Sequence, residues 1–232
     1  LSPTIQLTDA GKEFIYGSRP HEIFFRQLLK FQLPSPYHKE GRKIKGTFWV
    51  RPYLEIIRLI RDLEYLTPDE FRIFALQLTD YRKYEIVKNQ ILSFRGEKEK
   101  RKGQYKKFVD EVANQEIFKI YTKEIETGNI ETRETTTSDV KSFIRKEKSN
   151  MRDYADACFR YFRFTEMFMS DGRSIRIAPD KIPEIDFVLE TVPREPAYID
   201  DITAFKDYLF DAEQPRLYVD DRDNLENMLM RH

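Results

Sequence analysis

Apolar residues recur at intervals of three and four along most of this chain, which is the pattern of amphipathic helices. The clearest helix start lies at Thr67, a capping residue followed by proline and by two acids in the first turn. The helices predicted by these signals in the first 125 residues cover residues 8–16, 20–32, 52–65, 67–78, 82–95 and 104–125.

The stretch from residue 139 to residue 190 carries a more specific pattern. It predicts one helix over residues 139–146 and a second over residues 149–164, whose apolar residues recur at helical spacing. Two short apolar strands then flank Asp171-Gly172, which is a strong hairpin signal. Helix, helix and hairpin in this order is the plan of the winged helix, a helix-turn-helix variant. The predicted fold class is therefore mainly α-helical with a short β-hairpin, in winged-helix subdomains.

Charge is distributed unevenly along the 232 residues, although the formal net charge is zero. Residues 184–232 hold 13 acidic and five basic side chains, so the preceding 183 residues carry a net charge of +8. A basic body is suited to a polyanion, and an acidic tail is suited to a partner domain. The asymmetry is also within the range of ordinary proteins, so charge alone leaves both interpretations open.

Other features of composition narrow the class of protein. The chain has no apolar run long enough to span a membrane and no secretory signal, so no membrane partner is expected and the predicted location is cytoplasmic. Its one cysteine, Cys158, excludes an internal disulfide or a cysteine-based zinc site. Cys158 lies on the apolar face of a predicted helix, which favours a place in the core over a nucleophile.

The helix predicted over residues 149–164 has a polar face opposite its core face. Base edges in the major groove of DNA present donors and acceptors, so a helix that reads them needs such side chains on its free face. The residues predicted to read bases are Asn150, Arg152, Asp156 and Arg160. An ordinary solvated helix has the same pattern, and the adjoining hairpin with its two arginines shifts the balance toward DNA.

Further basic residues are predicted to contact the phosphate backbone, because arginine and lysine supply most phosphate contacts. Around the helix and hairpin these are Arg145, Lys146, Lys148, Arg163, Arg173 and Arg176. A dense basic run over residues 98–107 adds Lys98, Lys100, Arg101 and Lys102, and a basic loop over residues 37–46 is a similar candidate. Such runs are more often solvated surface than binding sites.

Catalytic signals are sparse. A metal-dependent nuclease of the restriction type needs a Pro-Asp pair and then an aspartate or glutamate with lysine two residues later, to hold a divalent ion and position the attacking water. The chain has two Pro-Asp pairs, at residues 68–69 and 179–180, but no glutamate with lysine two positions on. Only Asp139-Val140-Lys141 has an acid-x-Lys spacing, and it lies in a predicted helix. We therefore expect no catalytic residue, metal ligand or cofactor in this chain.

Four segments carry a family resemblance in conserved order. They are Leu-Thr-Asp-Ala-Gly-Lys at 7–12, the stretch from Arg-Pro-His-Glu to Leu-Pro-Ser at 19–35, the basic stretch at 91–104, and Arg-Asp-Tyr-Ala-Asp-Ala-Cys-Phe-Arg-Tyr-Phe-Arg-Phe-Thr at 152–165. The sequence resembles the AlwI-type family of type IIS restriction endonucleases and related strand-nicking enzymes. The resemblance implies winged-helix recognition subdomains, then a linker domain, then a Mg²⁺-dependent nuclease domain that cuts double-stranded DNA outside a short asymmetric site.

The resemblance leads to a domain assignment. Residues 1–46 are expected to form the C-terminal part of a first winged-helix subdomain, and residues 47–190 a second with a helical insertion at about 96–136. Residues 191–232 are expected to begin the linker domain. The chain is then a recognition fragment, its partners are double-stranded DNA and its own nuclease domain or a separate cleavage subunit, and Mg²⁺ belongs to that nuclease.

Two other classes of protein remain open at this point. A non-enzymatic winged-helix transcription regulator is typically a symmetric dimer on a palindrome, so a monomer footprint on an asymmetric site would exclude it. In a helical protein-interaction module the hairpin would be incidental. Such a module would show no DNA affinity, or an affinity insensitive to salt.

Overall fold

The chain is mostly helical in a computed structural model that describes residues 5–36, 48–128, 130–131, 136–137, 139–197 and 199–217. No helix among those residues is long and apolar enough to cross a membrane. The α-helices are α1 Asp9–Tyr16, α2 Pro20–Lys30, α3 Pro52–Leu63, α4 Pro68–Ile73, α5 Tyr84–Lys100, α6 Tyr105–Ile120, α7 Thr122–Thr127, α8 Val140–Phe164, α9 Ile182–Thr191 and α10 Ile202–Phe210. The strands are β1 Ile130–Glu131, β2 Thr136–Thr137, β3 Phe168–Ser170 and β4 Ile175–Ile177.

Helix starts follow the capping signals in the sequence. The Thr8 side chain accepts a hydrogen bond from the Gly11 amide at the start of α1. At α4, the Thr67 hydroxyl accepts from the Glu70 amide, and the Glu70 carboxylate accepts from the Thr67 amide. The predicted starts of α1 and α4 are therefore confirmed. The predicted lengths differ, since α4 ends at Ile73 and a short 3₁₀ turn follows over Ala75–Gln77.

The predicted break between residues 146 and 149 is wrong, because α8 runs as one helix of 25 residues. Side chains packed on both sides of that point keep the helix continuous through it. Phe143 packs with Ile117 and Ile130 in a small core, and Met151 packs against the same cluster. The C-terminal half of α8 packs into the main core instead, so this one helix connects the two cores.

The main core lies between α3, α4, α8 and the β3–β4 hairpin. Phe162 of α8 is fully buried there, and its ring meets the rings of Tyr53 from α3 and Phe168 from β3. Phe71 of α4 packs edge-on against Phe159 of α8, with ring centres 5.0 Å apart. Burial of aromatic rings is a major source of stability, so these contacts fix α8 against the hairpin and α4.

The β3–β4 hairpin forms where the sequence predicts it, and a third segment of the chain pairs with it. Phe168 pairs with Ile177 and Ser170 with Ile175, and Gly172 in the turn has a φ of +78° that favours glycine. Leu66, between α3 and α4, exchanges two backbone hydrogen bonds with Ile175, at 2.9 and 2.8 Å. β4 therefore lies between β3 and Leu66, and the loop before α4 is joined to the hairpin.

An ion pair holds α5 against the α3–α4 loop. Arg95 of α5 donates to both carboxylate oxygens of Glu70, at 3.0 Å each, and to the carbonyls of Leu63 and Tyr65. The Glu70 side chain is almost fully buried. The Arg95 guanidinium also lies 4.0 Å from the centre of the Tyr65 ring. α5 is thus attached at the point where the chain enters α4.

The described part of the C-terminal segment returns to α2. Gln32 and Ala197 exchange two hydrogen bonds, and Lys30 donates to the carbonyls of Leu209 and Asp211. Farther back, Arg194 makes two hydrogen bonds to the fully buried carboxylate of Glu55 in α3. Residues 194–197 and 199–211 therefore pack on α2 and α3, while the division of the chain into three domains stays a prediction.

Candidate nucleic-acid interface

One face of α8 carries a continuous row of exposed charged side chains. Successive residues of an α-helix turn by about 100°, which places five charged residues within about 80° of one another. These residues, called the α8 row below, are Arg145, Arg152, Asp156, Arg160 and Arg163, and all are exposed. The apolar side chains of α8 that pack in the cores lie on the other side, so burial of that side directs the row outward.

The arginines of the α8 row form no close ion pair, although Asp156 lies in the row four residues from Arg152 and from Arg160. The pKa of the Asp139 carboxyl is lowered by hydrogen bonds and, to a smaller extent, by Arg145 nearby. Within the part of the chain that the structure describes, none of the four forms an ion pair or a side-chain hydrogen bond. Arginine usually finds an anion when one is near, and its guanidinium matches carboxylate and phosphate geometry. Four unpaired guanidiniums along one helix face make a positive surface that is suited to an external polyanion.

Asn150 lies away from this row. It precedes Arg152 by two positions, which separates the two side chains by about 160° around the helix. Asn150 is half-buried and donates a hydrogen bond of 3.2 Å to the Glu147 carboxylate. A DNA groove that receives the α8 row would therefore not reach Asn150, and base readout by this residue stays a prediction that needs another contact surface.

The two lysines of α8 that are predicted to contact phosphates are partly taken up by the protein itself. Lys148 makes an ion pair of 2.7 Å with Asp110, which joins α8 to α6. Lys146 is half-buried. Their predicted phosphate contacts are therefore less direct than those of the unpaired arginines.

The hairpin presents two arginines. Arg173 at the turn is exposed, and Arg176 lies opposite the exposed Met169 on the outer face of the strand pair. Arg176 contacts Asp171 at 3.3 Å. The backbone amides of Arg173 and Ser174 donate to Asp171 and hold the pKa of its carboxyl below the usual range. The carboxylate therefore stays charged and closes the turn that carries both arginines.

The first part of the basic run, residues 98–102, is engaged mainly with its own neighbours. Lys98 lies 4.6 Å from the centre of the Tyr105 ring, and Arg101 lies 5.0 Å from that of Phe108. Lys100 pairs with Glu97. These contacts are typical of a solvated helix end. The side chain of Lys102 and the basic loop over residues 37–46 lie outside the described residues.

A cleft of about 380 Å³ opens beside the N-terminal half of the α8 row, between α4, α6 and α8. Its lining combines the row with Lys106, which belongs to the basic run predicted from the sequence, and with Arg72, which the sequence did not single out. The full lining is Asp69, Arg72, Tyr105, Lys106, Val109, Asp110, Arg145, Lys148, Ser149 and Arg152. No local signal places Arg72 or Lys106 beside α8, because only the packing of α6 and α4 against α8 brings them there.

The acids considered for catalysis have structural partners. Asp139, of the acid-x-Lys spacing, caps α8 by accepting from the amides of Lys141 and Ser142. Asp69 accepts from Arg72 and from the Tyr105 hydroxyl. Among the described residues, no three His, Cys, Asp or Glu side chains are grouped as a metal site requires.

Cys158 is expected to react slowly with thiol reagents. The thiol is half-buried and packs against the main core, and burial raises its pKa to about 11. Because the thiolate is the nucleophile, its fraction at pH 8 should be roughly 100-fold below that of a free cysteine. Alkylation by iodoacetamide, followed by mass spectrometry, measures the rate. Reaction in the native state at the rate of the urea-unfolded chain would contradict this prediction.

The fold is helical and presents a cationic helix face that is suited to an anionic polymer. A comparison of sequences identifies the family of the chain. The sequence model of the AlwI restriction endonuclease matches residues 2–231, so the chain belongs to the AlwI restriction endonuclease family. DNA is the substrate of restriction enzymes, and the resemblance seen in the sequence is confirmed. No curated protein matches the chain.

Proposed function

We propose that this chain provides sequence-specific recognition of double-stranded DNA for a type IIS restriction or nicking endonuclease. The observation that carries the proposal is the α8 row, with four exposed arginines that form no ion pair or side-chain hydrogen bond in the described structure. A restriction enzyme must bind one short sequence among many, and a row of donors on one helix face is suited to that task. Cleavage outside the site by a separate Mg²⁺-dependent nuclease domain or subunit is part of the same proposal.

The order of elements in the main core supports a winged-helix arrangement. The elements of this core follow one another in the order α3, the bridging residue Leu66, α4, α8, β3 and β4. β4 pairs with β3 on one side and with Leu66 on the other. In a helix-turn-helix variant of this type, the helix before the hairpin enters the major groove. α8 occupies that position, and the helices α5 to α7 are inserted between α4 and α8.

The roles along α8 and the hairpin follow from exposure. Asp156 and Arg160 lie on the row beyond the cleft, where a base edge can approach without meeting α4 or α6. Arginine binds guanine through two hydrogen bonds, and aspartate accepts from cytosine or orients a neighbouring arginine. Arg163 ends the row, and together with the hairpin residues Arg173 and Arg176 it is assigned to backbone phosphates.

DNA binding by the purified chain tests the proposal. We expect selection from a random duplex library to return one short asymmetric site, bound by a monomer. The logarithm of the binding constant should fall linearly with the logarithm of the salt concentration, by about 0.9 per phosphate contacted. A palindromic site bound by a dimer would favour a transcription regulator. An absence of salt-dependent binding would favour a protein-interaction module and overturn the proposal.

Arg160→Ala is expected to weaken binding to the selected site by about 1–3 kcal/mol and to relax base preference at one position. The physical reason is the loss of a direct contact with a base edge. Arg163→Ala is the matched control, since it removes the same exposed, unpaired side chain one turn later. We expect it to weaken all sequences alike. Binding of both variants to a panel of single-base-pair substitutions provides the measurement, and equal losses on every sequence for Arg160→Ala would refute base readout.

A further inference from the structure

We infer that the cleft between α4, α6 and α8 binds a phosphate of the DNA backbone. This inference rests on the proposed function and adds a contact site to it. It also reassigns Arg152 from base readout to phosphate binding, and it gives the inserted helix α6 a direct part in holding DNA.

The charges that line the cleft favour an anion. Five cationic side chains meet two acidic ones, Asp69 and Asp110, in the same lining. The cations are Arg72, Lys106, Arg145, Lys148 and Arg152. A concave surface lined mainly by one sign of charge raises the local concentration of the opposite sign.

Both acids already have a cation of their own. Arg72 donates to Asp69 at 3.0 and 2.8 Å, and the Tyr105 hydroxyl donates to the other Asp69 oxygen. Lys148 pairs with Asp110 at 2.7 Å. The two ion pairs neutralise these four side chains, which leaves three cations of the lining outside any ion pair in the described structure.

Those three cations come from two different helices. Lys106 of α6 is exposed and has no ion pair in the described structure, and the same is true of Arg145 and Arg152. Arg145 and Arg152 are seven residues apart on α8, so they lie two turns apart on one side of it. Lys106 faces them across the cleft. A phosphate between α6 and α8 would replace the missing counter-charge.

The walls of the cleft favour a phosphate over a base. Arg152 lines the cleft together with residues of α4 and α6, which form walls on the side where the broad edge of a base pair would have to enter. A phosphate group projects from the DNA backbone and is suited to such a recess. Duplex DNA is favoured over a small anion because Arg145 and Arg152 continue directly into the exposed row formed by Asp156, Arg160 and Arg163.

Two neighbouring lysines of α6 make a matched test. Lys106 lines the cleft, whereas Lys107 lies outside it, is 76% exposed and approaches Glu111. We expect Lys106→Ala to reduce the steepness of the salt dependence by about one and to weaken binding roughly tenfold at 0.1 M salt, equally for all sequences. Lys107→Ala should leave both quantities unchanged. Binding of the 232-residue chain to the selected duplex, measured from 0.05 to about 0.5 M salt, determines both.

Arg152→Ala separates the two roles considered for that residue. We expect the same reduction in salt dependence with base preference unchanged, and melting temperatures of all variants near that of the parent. An unaltered salt dependence in Lys106→Ala, or an altered base preference in Arg152→Ala, would overturn the cleft assignment while leaving DNA recognition by the chain intact. Absence of DNA binding by the parent chain would instead overturn the proposed function itself.

Discussion

Glu70→Gln is expected to lower the free energy of unfolding by about 3 kcal/mol. The substitution removes the negative charge that Arg95 meets in a nearly closed environment, and breaking one side of a buried pair costs about 3–5 kcal/mol. The lower end applies because the Arg95 side chain remains 18% exposed. Urea unfolding followed by circular dichroism measures the change. Glu97→Gln on the same helix α5 is the control, since its pair with Lys100 is exposed to solvent and its loss should change stability far less.

The double variant Glu70→Gln with Arg95→Gln shows whether charge is the cause. If the loss comes from an uncompensated guanidinium, removing that group as well should recover part of the stability. A loss of stability in the double variant equal to the sum of the losses in the two single variants would contradict this explanation. These substitutions also bear on the candidate DNA interface. Arg95 donates hydrogen bonds to the carbonyls of Leu63 and Tyr65, in the loop that precedes α4 and pairs with the hairpin.

Phe162→Ala is expected to destabilise the fold by about 3–5 kcal/mol, because it leaves a cavity where α3, α8 and β3 meet. The side chain has no exposed surface, and its ring centre lies 4.8 Å from that of Phe168 and 5.9 Å from that of Tyr53. Chemical denaturation is again the measurement. Phe162→Leu keeps most of the volume and should cost much less than the alanine variant.

Phe164 provides the matched control for that experiment. It lies two residues farther along the same helix and is 46% exposed, although its ring also meets Phe14 and Phe24. Phe164→Ala should therefore cost clearly less than Phe162→Ala. Equal losses in the two variants would show that the aromatic contacts with α1 and α2 stabilise the fold as much as the main core does.

Local signals in the sequence predicted the parts of the fold that local chemistry determines. The capping threonine at Thr67 and the Asp171-Gly172 turn each act within a few residues, and both are where the sequence places them. The break near residue 149 was wrong because Phe143 and Met151 are held by packing against the small core around Ile117, which no short window of sequence contains.

The candidate site likewise combines features that local sequence determines with features that depend on packing. The α8 row was predictable, because a polar face and an apolar face on one helix are visible in its own sequence. The contributions of Arg72 and Lys106 were not, since they depend on how α4 and α6 pack against α8. The bridge between Leu66 and Ile175 likewise joins residues far apart in the chain, and only the folded structure shows it.

The attachment of the C-terminal segment to α2 has a consequence for how the sequence can diverge. Side chains of Arg26, Gln27 and Lys30 hold this segment by its carbonyl oxygens, from Leu209 through Pro215. Every amino acid carries that oxygen, so the held positions are free to change identity while the bonds persist. Evolutionary constraint should therefore fall on the polar residues of α2, and the segment that they hold should vary more freely among relatives.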